Sequence, residues 1–247
     1  MKKIFKYIFA GMAAMSVVAC SEDALETSPS SSVSGNELLG TATNALVSLN
    51  GVYRAMYTAG VSNSSNTHQC FGITAYNLVA DVMGEDCIMN GQGSGWFWYD
   101  CVYNVKSRYT STGWRSYDMW NGYYTWISNV NYILAEEETM SGSETEKNYV
   151  LGQAYAVRAY SYFMLAQMFS RTYKGHESEP CVPLYTEPTD IATEGKGRAT
   201  IEEVYQQITS DLDKAITMLG NSGKRKHISH INEAVASGTV SYTHLRA

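Results

Sequence analysis

Four carboxylates, Asp81, Glu85, Asp86 and Asp100, fall close together along a chain of 247 residues. Two carboxyl groups flanking a glycosidic bond can divide its hydrolysis, one protonating the leaving oxygen while the other attacks or activates water. Spacing along the chain does not set their separation in space. Acids beside a turn also serve as plain surface charges, and one of these four can neutralise Arg158, a cation on an apolar helix that needs a partner if buried. The same region holds all five tryptophans, between Trp96 and Trp126, joined by Tyr99, Tyr103, Tyr109, Tyr117, Tyr123 and Tyr124. Aromatic faces stack on the flat C–H faces of sugar rings, while Asp, Asn and Arg side chains pair with the hydroxyls. Trp96 and Trp98 follow the glycine-rich stretch Asn90-Gly91-Gln92-Gly93-Ser94-Gly95, and loops are where binding side chains are displayed. Trp96 and Trp98, with Asp81, Asp86 and Asn104 for the hydroxyls, form the candidate ligand site. Filling a gap in the core is the alternative use for two such neighbouring rings.

Other chemistries find less support. His227 and His230 stand beside Lys224, Arg225 and Lys226 and read as a solvated helix start rather than a metal pair. Gly91-x-Gly93-x-Gly95 lacks the Gly-Lys-Ser/Thr of a phosphate loop, and Asp81-Val82-Met83-Gly84-Glu85-Asp86 is no EF-hand. No cofactor or metal is expected. A formal charge of −6 without a basic stripe excludes a nucleic-acid partner. Cys70, Cys87, Cys101 and Cys181 are irregularly spaced, so any bridging pattern stays open.

The N-terminus has the layout of a signal peptide over residues 1–19: Lys2, Lys3 and Lys6, then an uncharged apolar run from Tyr7 to Ala19. That run is shorter than the roughly 20 residues a membrane span needs. Val17-Val18-Ala19-Cys20 looks like a bacterial lipobox, with Cys20 the lipidated residue; acyl chains gain roughly 0.8 kcal/mol per buried methylene. Residues 20–36 then form a flexible, serine-rich polar tether. Its start, Ser21-Glu22-Asp23, resembles the acidic surface-export tag of Bacteroidetes lipoproteins. The expected location is therefore the outer membrane, lipid-anchored and facing outwards.

Helices must carry the candidate site. Ala42, Ala45, Leu49, Val52 and Met56 lie on one helical stripe ended by Gly60, and Trp120, Tyr123, Ile127, Val130 and Leu134 on another. That makes Trp120 and Tyr123 core residues. A third helix, from about Glu144 to Arg171, has two stripes: Leu151, Tyr155, Tyr162, Leu165 and Phe169, and Val150, Ala154, Val157, Met164 and Met168. A helix apolar on two sides is packed between neighbours. Thr200-Ile201-Glu202-Glu203 is a capping box opening a fourth, with Val204, Ile208, Leu212, Ala215 and Leu219 inward and Gly220 at its close. Between them, Pro180 to Pro188 holds three of the four prolines and predicts an extended loop. The class is mainly α, with stacked helix pairs of the tetratricopeptide type or an ordinary bundle.

Four segments in order resemble the SusD/RagB family of outer-membrane lipoproteins: Leu49-Asn50-Gly51-Val52-Tyr53-Arg54, Ala80-Asp81-Val82-Met83-Gly84-Glu85-Asp86, Trp120-Asn121-Gly122-Tyr123-Tyr124, and Ala156-Val157-Arg158-Ala159-Tyr160-Ser161-Tyr162-Phe163 followed by Val182-Pro183-Leu184. The resemblance implies a SusD-like, tetratricopeptide-like scaffold with long loops over residues 37–239. It implies a surface protein that binds a glycan, does not cut it, and delivers it to a TonB-dependent transporter of the SusC type. The family's second helix precedes the acidic turn, and its aromatic ligand platform draws on the Trp96 loop. Family members are longer, so the chain is expected to be their N-terminal part. Residues 240–247, Val-Ser-Tyr-Thr-His-Leu-Arg-Ala, read as a translated sequencing adapter. Two further functions stay open: a glycoside hydrolase on a helical scaffold, and a helical-repeat module that binds only other proteins.

Overall fold

The computed structural model describes residues 39–62, 67–85, 87–93, 95–103 and 113–246. Cys20, Asp86 and Asn104 lie outside the described residues. Seven helices account for most of the rest: α1 (Ala42–Ala55), α2 (Ile73–Met83), α3 (Trp98–Cys101), α4 (Trp114–Ala135), α5 (Glu144–Phe169), α6 (Ile201–Gly220) and α7 (Glu233–Arg246). Among the described residues there are no strands, only the isolated bridges Thr41 to Ser141 and Pro180 to Thr200.

Every residue of the predicted α1 stripe is buried, and the Thr41 side chain caps the helix by accepting the Asn44 N–H at 3.1 Å. The helix stops at Ala55, short of the expected Gly60, because the chain turns back there. The Met56 carbonyl accepts the Ile73 N–H at 2.8 Å and the Cys70 carbonyl accepts that of Gly60 at 2.9 Å. Gly72 makes this close return possible: its φ is +70°, and a Cβ there would lie 1.9 Å from the Met56 oxygen. The turn feeds α2, the helix the family pattern implied, which buries Ala75, Tyr76, Val79 and Val82.

Successive helices stack, α4 on α5, α5 on α6 and α6 on α7, and α1 packs back on α4 and α5. This is the helical scaffold of the tetratricopeptide type. The long α5 is enclosed because it is sandwiched: both predicted stripes are buried except for the half-buried Phe169, Met164 and Met168. Gly152 lets α6 approach, since a Cβ there would meet Leu219 Cγ at 2.9 Å. In α4, Tyr123 is fully buried as expected, but Trp120 is half-buried, packed between Tyr124 and the edge of Phe169.

The Thr200 box forms as predicted, and a second one, Ser143 with Glu146, opens α5. The Ser143 hydroxyl and N–H hold Glu146, and the Thr200 N–H and hydroxyl hold Glu203, below the usual carboxylate range. Thr200→Ala is expected to cost about 1 kcal/mol in urea unfolding, and an unchanged midpoint would show that α6 does not depend on its cap.

The proline-rich segment is extended, and the helices bind its backbone. Tyr124 donates to the Pro183 carbonyl at 2.7 Å, Tyr162 to that of Tyr185 at 2.8 Å, and Asn131 to those of Tyr185 and Glu187 at 2.9 and 3.1 Å. Arg158 donates to the Thr186 carbonyl at 3.0 Å and to Asn131 Oδ1 at 2.9 Å. Its ionic partner corrects the expectation of an early acid. Asp211 on α6 accepts in two-pronged fashion at 2.8 and 2.7 Å, because α5 faces α6 there. Burial works against the Arg158 charge, but Asp211 outweighs it and the guanidinium pKa is raised.

The His227–His230 segment also differs from expectation. It precedes α7, and His230 is buried rather than solvated. Its Nδ1 lies 2.7 Å from the Tyr149 hydroxyl, and its ring stacks on Tyr53 at 5.6 Å. Burial, then the nearby His227, Lys226 and Arg225, lowers its pKa. Among the described residues no cluster of three or more His, Cys, Asp or Glu can hold a metal. Residues 240–246 continue α7, with Tyr242 edge-on to Phe163 at 5.7 Å.

Candidate functional site

The aromatic segment forms a tight turn into α3. Gly93 and Gly95 have positive φ, and so does Phe97, at +56°, a conformation uncommon for a side chain of that size. The turn sets neighbouring residues at different depths. Phe97 is buried, Trp98 half-buried, and Trp96 and Tyr99 are exposed at 50% and 56%. Of the two predicted tryptophans, Trp96 is therefore the one displayed to solvent. Tyr103, exposed and also at positive φ, donates its hydroxyl to the Met83 carbonyl. This bond, with the packing of α2 on α3, brings the aromatic turn to the end of α2, where Asp81 is exposed. No hydrogen bond among the described residues joins Asp81 to either tryptophan.

A buried cation sets the turn from beneath. Arg115, near the start of α4, pairs with Asp100 of α3 at 3.2 Å, both side chains 4% exposed. It also donates to the Gln69 backbone carbonyl at 2.8 Å and to Gln69 Oε1 at 3.3 Å. That same Oε1 accepts the Phe97 N–H at 3.0 Å. The guanidinium lies 5.1 Å from the Phe97 ring centroid and 4.2 Å from that of Trp114, both cation–π distances. One residue thus ties together the 67–70 segment, the aromatic turn and α4. Burial lowers its pKa to about 10, against the pull of Cys70, Asp118 and Tyr76. Neither Arg115 nor Gln69 carries a periodic or motif signal, and sequence reasoning passed over both.

Deeper in, Ser62 donates to Asp118 Oδ1, and Tyr76 donates to the Asp118 carbonyl at 3.0 Å. Burial pushes the Asp118 carboxyl up, while Ser62, Cys70 and Arg115 pull it back. Burial and then Asp118 raise the Cys70 thiol to about 12, which makes it an inert core group.

Among the described residues, the early acids sit in different surroundings. Asp100 is buried against Arg115, whereas Asp81 and Glu85 are exposed. A second concavity, about 220 Å³, lies between α4 and the proline-rich segment, lined by Tyr124, Ser128, Asn131, Tyr185, Thr189 and Asp190. Its polar groups are largely occupied holding that segment: Tyr124 and Asn131 as above, and Asp190 by Ala192 N–H and Thr193 Oγ1 at 3.0 and 2.9 Å.

A stack of helices presenting an aromatic turn held by a buried ion pair defines a helical scaffold with a candidate surface site. The family model for SusD-like proteins, described as starch-binding and associating with the outer membrane, matches residues 83–245, and the chain belongs to that family. It is similar to a solved SusD-like carbohydrate-binding protein from Bacteroides vulgatus ATCC 8482 at 27% identity and a TM-score of 0.73, covering 84% of this chain and 42% of that one. A SusD superfamily protein from Bacteroides fragilis shares 22% identity and a TM-score of 0.65 over 84% of this chain and 46% of its own. A laminarin-binding SusD-like protein shares 24% and a TM-score of 0.57 over 83% and 40%. The chain thus spans less than half the length of these solved structures. No curated protein matches it.

Proposed function

We propose that the protein captures an oligo- or polysaccharide on the aromatic turn around Trp96 and passes it, uncut, to a TonB-dependent transporter of the SusC type. The half-exposed Trp96, displayed beside Tyr99 on a turn held by Arg115, carries this reading. A preset ring loses little freedom when a sugar stacks on it. Trp98 borders the platform, and Asp81, Asp86 and Asn104 supply hydroxyl partners. The family's description as starch-binding and outer-membrane-associated supports both the ligand class and the location. No helix among the described residues is long and apolar enough to cross a membrane; in this reading the lipid on Cys20 is the anchor, with the tether holding the scaffold outside.

The test is electrophoresis of the full-length protein through gels containing polysaccharide, with an assay for reducing ends. Retardation without sugar release supports capture. Release of reducing sugar would establish the hydrolase instead, and co-purification of a transporter with no glycan bound would favour a protein-binding module. In the same protein, Trp96→Ala is expected to weaken glycan binding at least about tenfold, the effect of losing a central aromatic anchor, with little change in melting temperature. Undiminished binding would remove Trp96 from the site. Trp98→Ala is read beside its melting curve, since that ring is half-buried.

A further inference from the structure

Trp96 has a neighbour from a different part of the chain. The exposed His68 ring lies 5.2 Å from the Trp96 ring, tilted 39° to it. The two rings form a corner, and the hydrogen bonds behind it determine which atom His68 offers outward. Gln69 Oε1 accepts both the Phe97 N–H and an Arg115 N–H. These two donors fix which end of the amide is oxygen, so the Gln69 amide nitrogen is the end facing His68, 3.2 Å from its Nε2. An amide nitrogen only donates. His68 Nε2 must therefore accept, and the neutral ring carries its proton on Nδ1.

We propose that His68 is a specificity-determining residue of the glycan site, its Nδ1–H donating to a hydroxyl or ring oxygen of the sugar stacked on Trp96. The inference rests on the glycan-capture reading and deepens it. Trp96 supplies a face that any pyranose can use, and stacking discriminates weakly between sugars. A single fixed donor at its edge favours the sugar whose acceptor oxygen falls there and disfavours one that leaves the N–H unpaired. Arg115 and Gln69 act behind the corner as positioning residues, since they orient the histidine without reaching the ligand.

The probes are maltoheptaose and laminariheptaose, chosen because the family description names starch and one relative binds laminarin. Calorimetric titration compares the full-length protein with His68→Phe, His68→Ala and Trp96→Ala. His68→Phe retains a ring against Trp96 but has no N–H. It is expected to weaken binding of the preferred oligosaccharide about fivefold, the worth of one neutral hydrogen bond, and to narrow the preference between the two probes. His68→Ala is expected to weaken binding at least as much. Because His68 is exposed, the melting temperatures should coincide with that of the unsubstituted protein. If Trp96→Ala weakens binding while both His68 variants match the unsubstituted protein in affinity and preference, the role of His68 is overturned and glycan capture stands. If the unsubstituted protein binds neither probe, capture of these glucans falls, and the inference with it. Long-range nitrogen–proton NMR gives a second check: His68 protonated on Nε2 instead of Nδ1 would overturn the assignment without reference to any ligand.

Discussion

Asp211→Ala is expected to lower the unfolding free energy by about 3–5 kcal/mol, the cost of leaving a buried charge without its partner. Asp211 is 1% exposed, and its two oxygens receive Arg158 Nε and Nη2 at 2.8 and 2.7 Å. The same guanidinium holds the Thr186 carbonyl and Asn131, and Asn131 in turn holds the carbonyls of Tyr185 and Glu187. Losing the carboxylate therefore strands the cation between α5 and α6 and loosens the proline-rich segment. Urea unfolding should show a large fall in midpoint, and proteolysis should cut first between Pro183 and Thr193. The paired change Arg158→Met with Asp211→Leu should recover most of the loss, because two apolar side chains of similar size leave no buried charge. An Asp211→Ala protein within 1 kcal/mol of the parent, a bound set from the same penalty, would mean that the pair is hydrated in solution.

Arg115→Met is expected to cost a similar amount, about 3–5 kcal/mol, and to act on binding as well. The substitution leaves Asp100 buried without its cation and removes the guanidinium from the Gln69 oxygens and the Phe97 ring. Phe97 then has less to hold its positive φ, a conformation that costs of order 1–3 kcal/mol and persists only under constraint. Trp96 should lose its fixed orientation, so glycan affinity should fall even where the protein remains folded. Arg115→Met with Asp100→Leu distinguishes the two effects. Stability should largely return, because no charge is left unpaired, while affinity should stay low, because Gln69 has still lost its donor and the Phe97 ring its cation. Recovery of both would reduce Arg115 to a partner of Asp100 alone.

Much of the scaffold was legible in the residues. Ala42, Ala45, Leu49, Val52 and Met56 are buried as their spacing required, as are Val204, Ile208, Leu212, Ala215 and Leu219 of α6. The Thr200 box is present, and Ser143-Glu144-Thr145-Glu146 carried the same signal for α5. These features are local: a helical stripe and a cap involve residues three or four apart, so spacing alone reports them. The candidate site was legible only in part. The glycine-rich approach and the aromatic cluster pointed to Trp96 and Trp98, but nothing in their order distinguished the exposed ring from the half-buried one. That difference comes from the positive φ at Gly95 and Phe97.

The partners of the charged residues depended on the fold. Arg158 shows itself as a cation in an apolar helix, yet Asp211 lies 53 positions away, and Arg115 meets Gln69 from 46 positions away. His230 looked like part of a charged surface until Tyr53 and Tyr149 closed around it. By itself, the sequence determined which faces are apolar, where helices begin and where the chain must be extended, because these follow from the chemistry of neighbouring residues. The tertiary structure decided which acid neutralises which cation and which aromatic ring meets solvent. Those outcomes depend on how helices far apart in the chain pack, and a buried charge takes whichever partner that packing brings within reach.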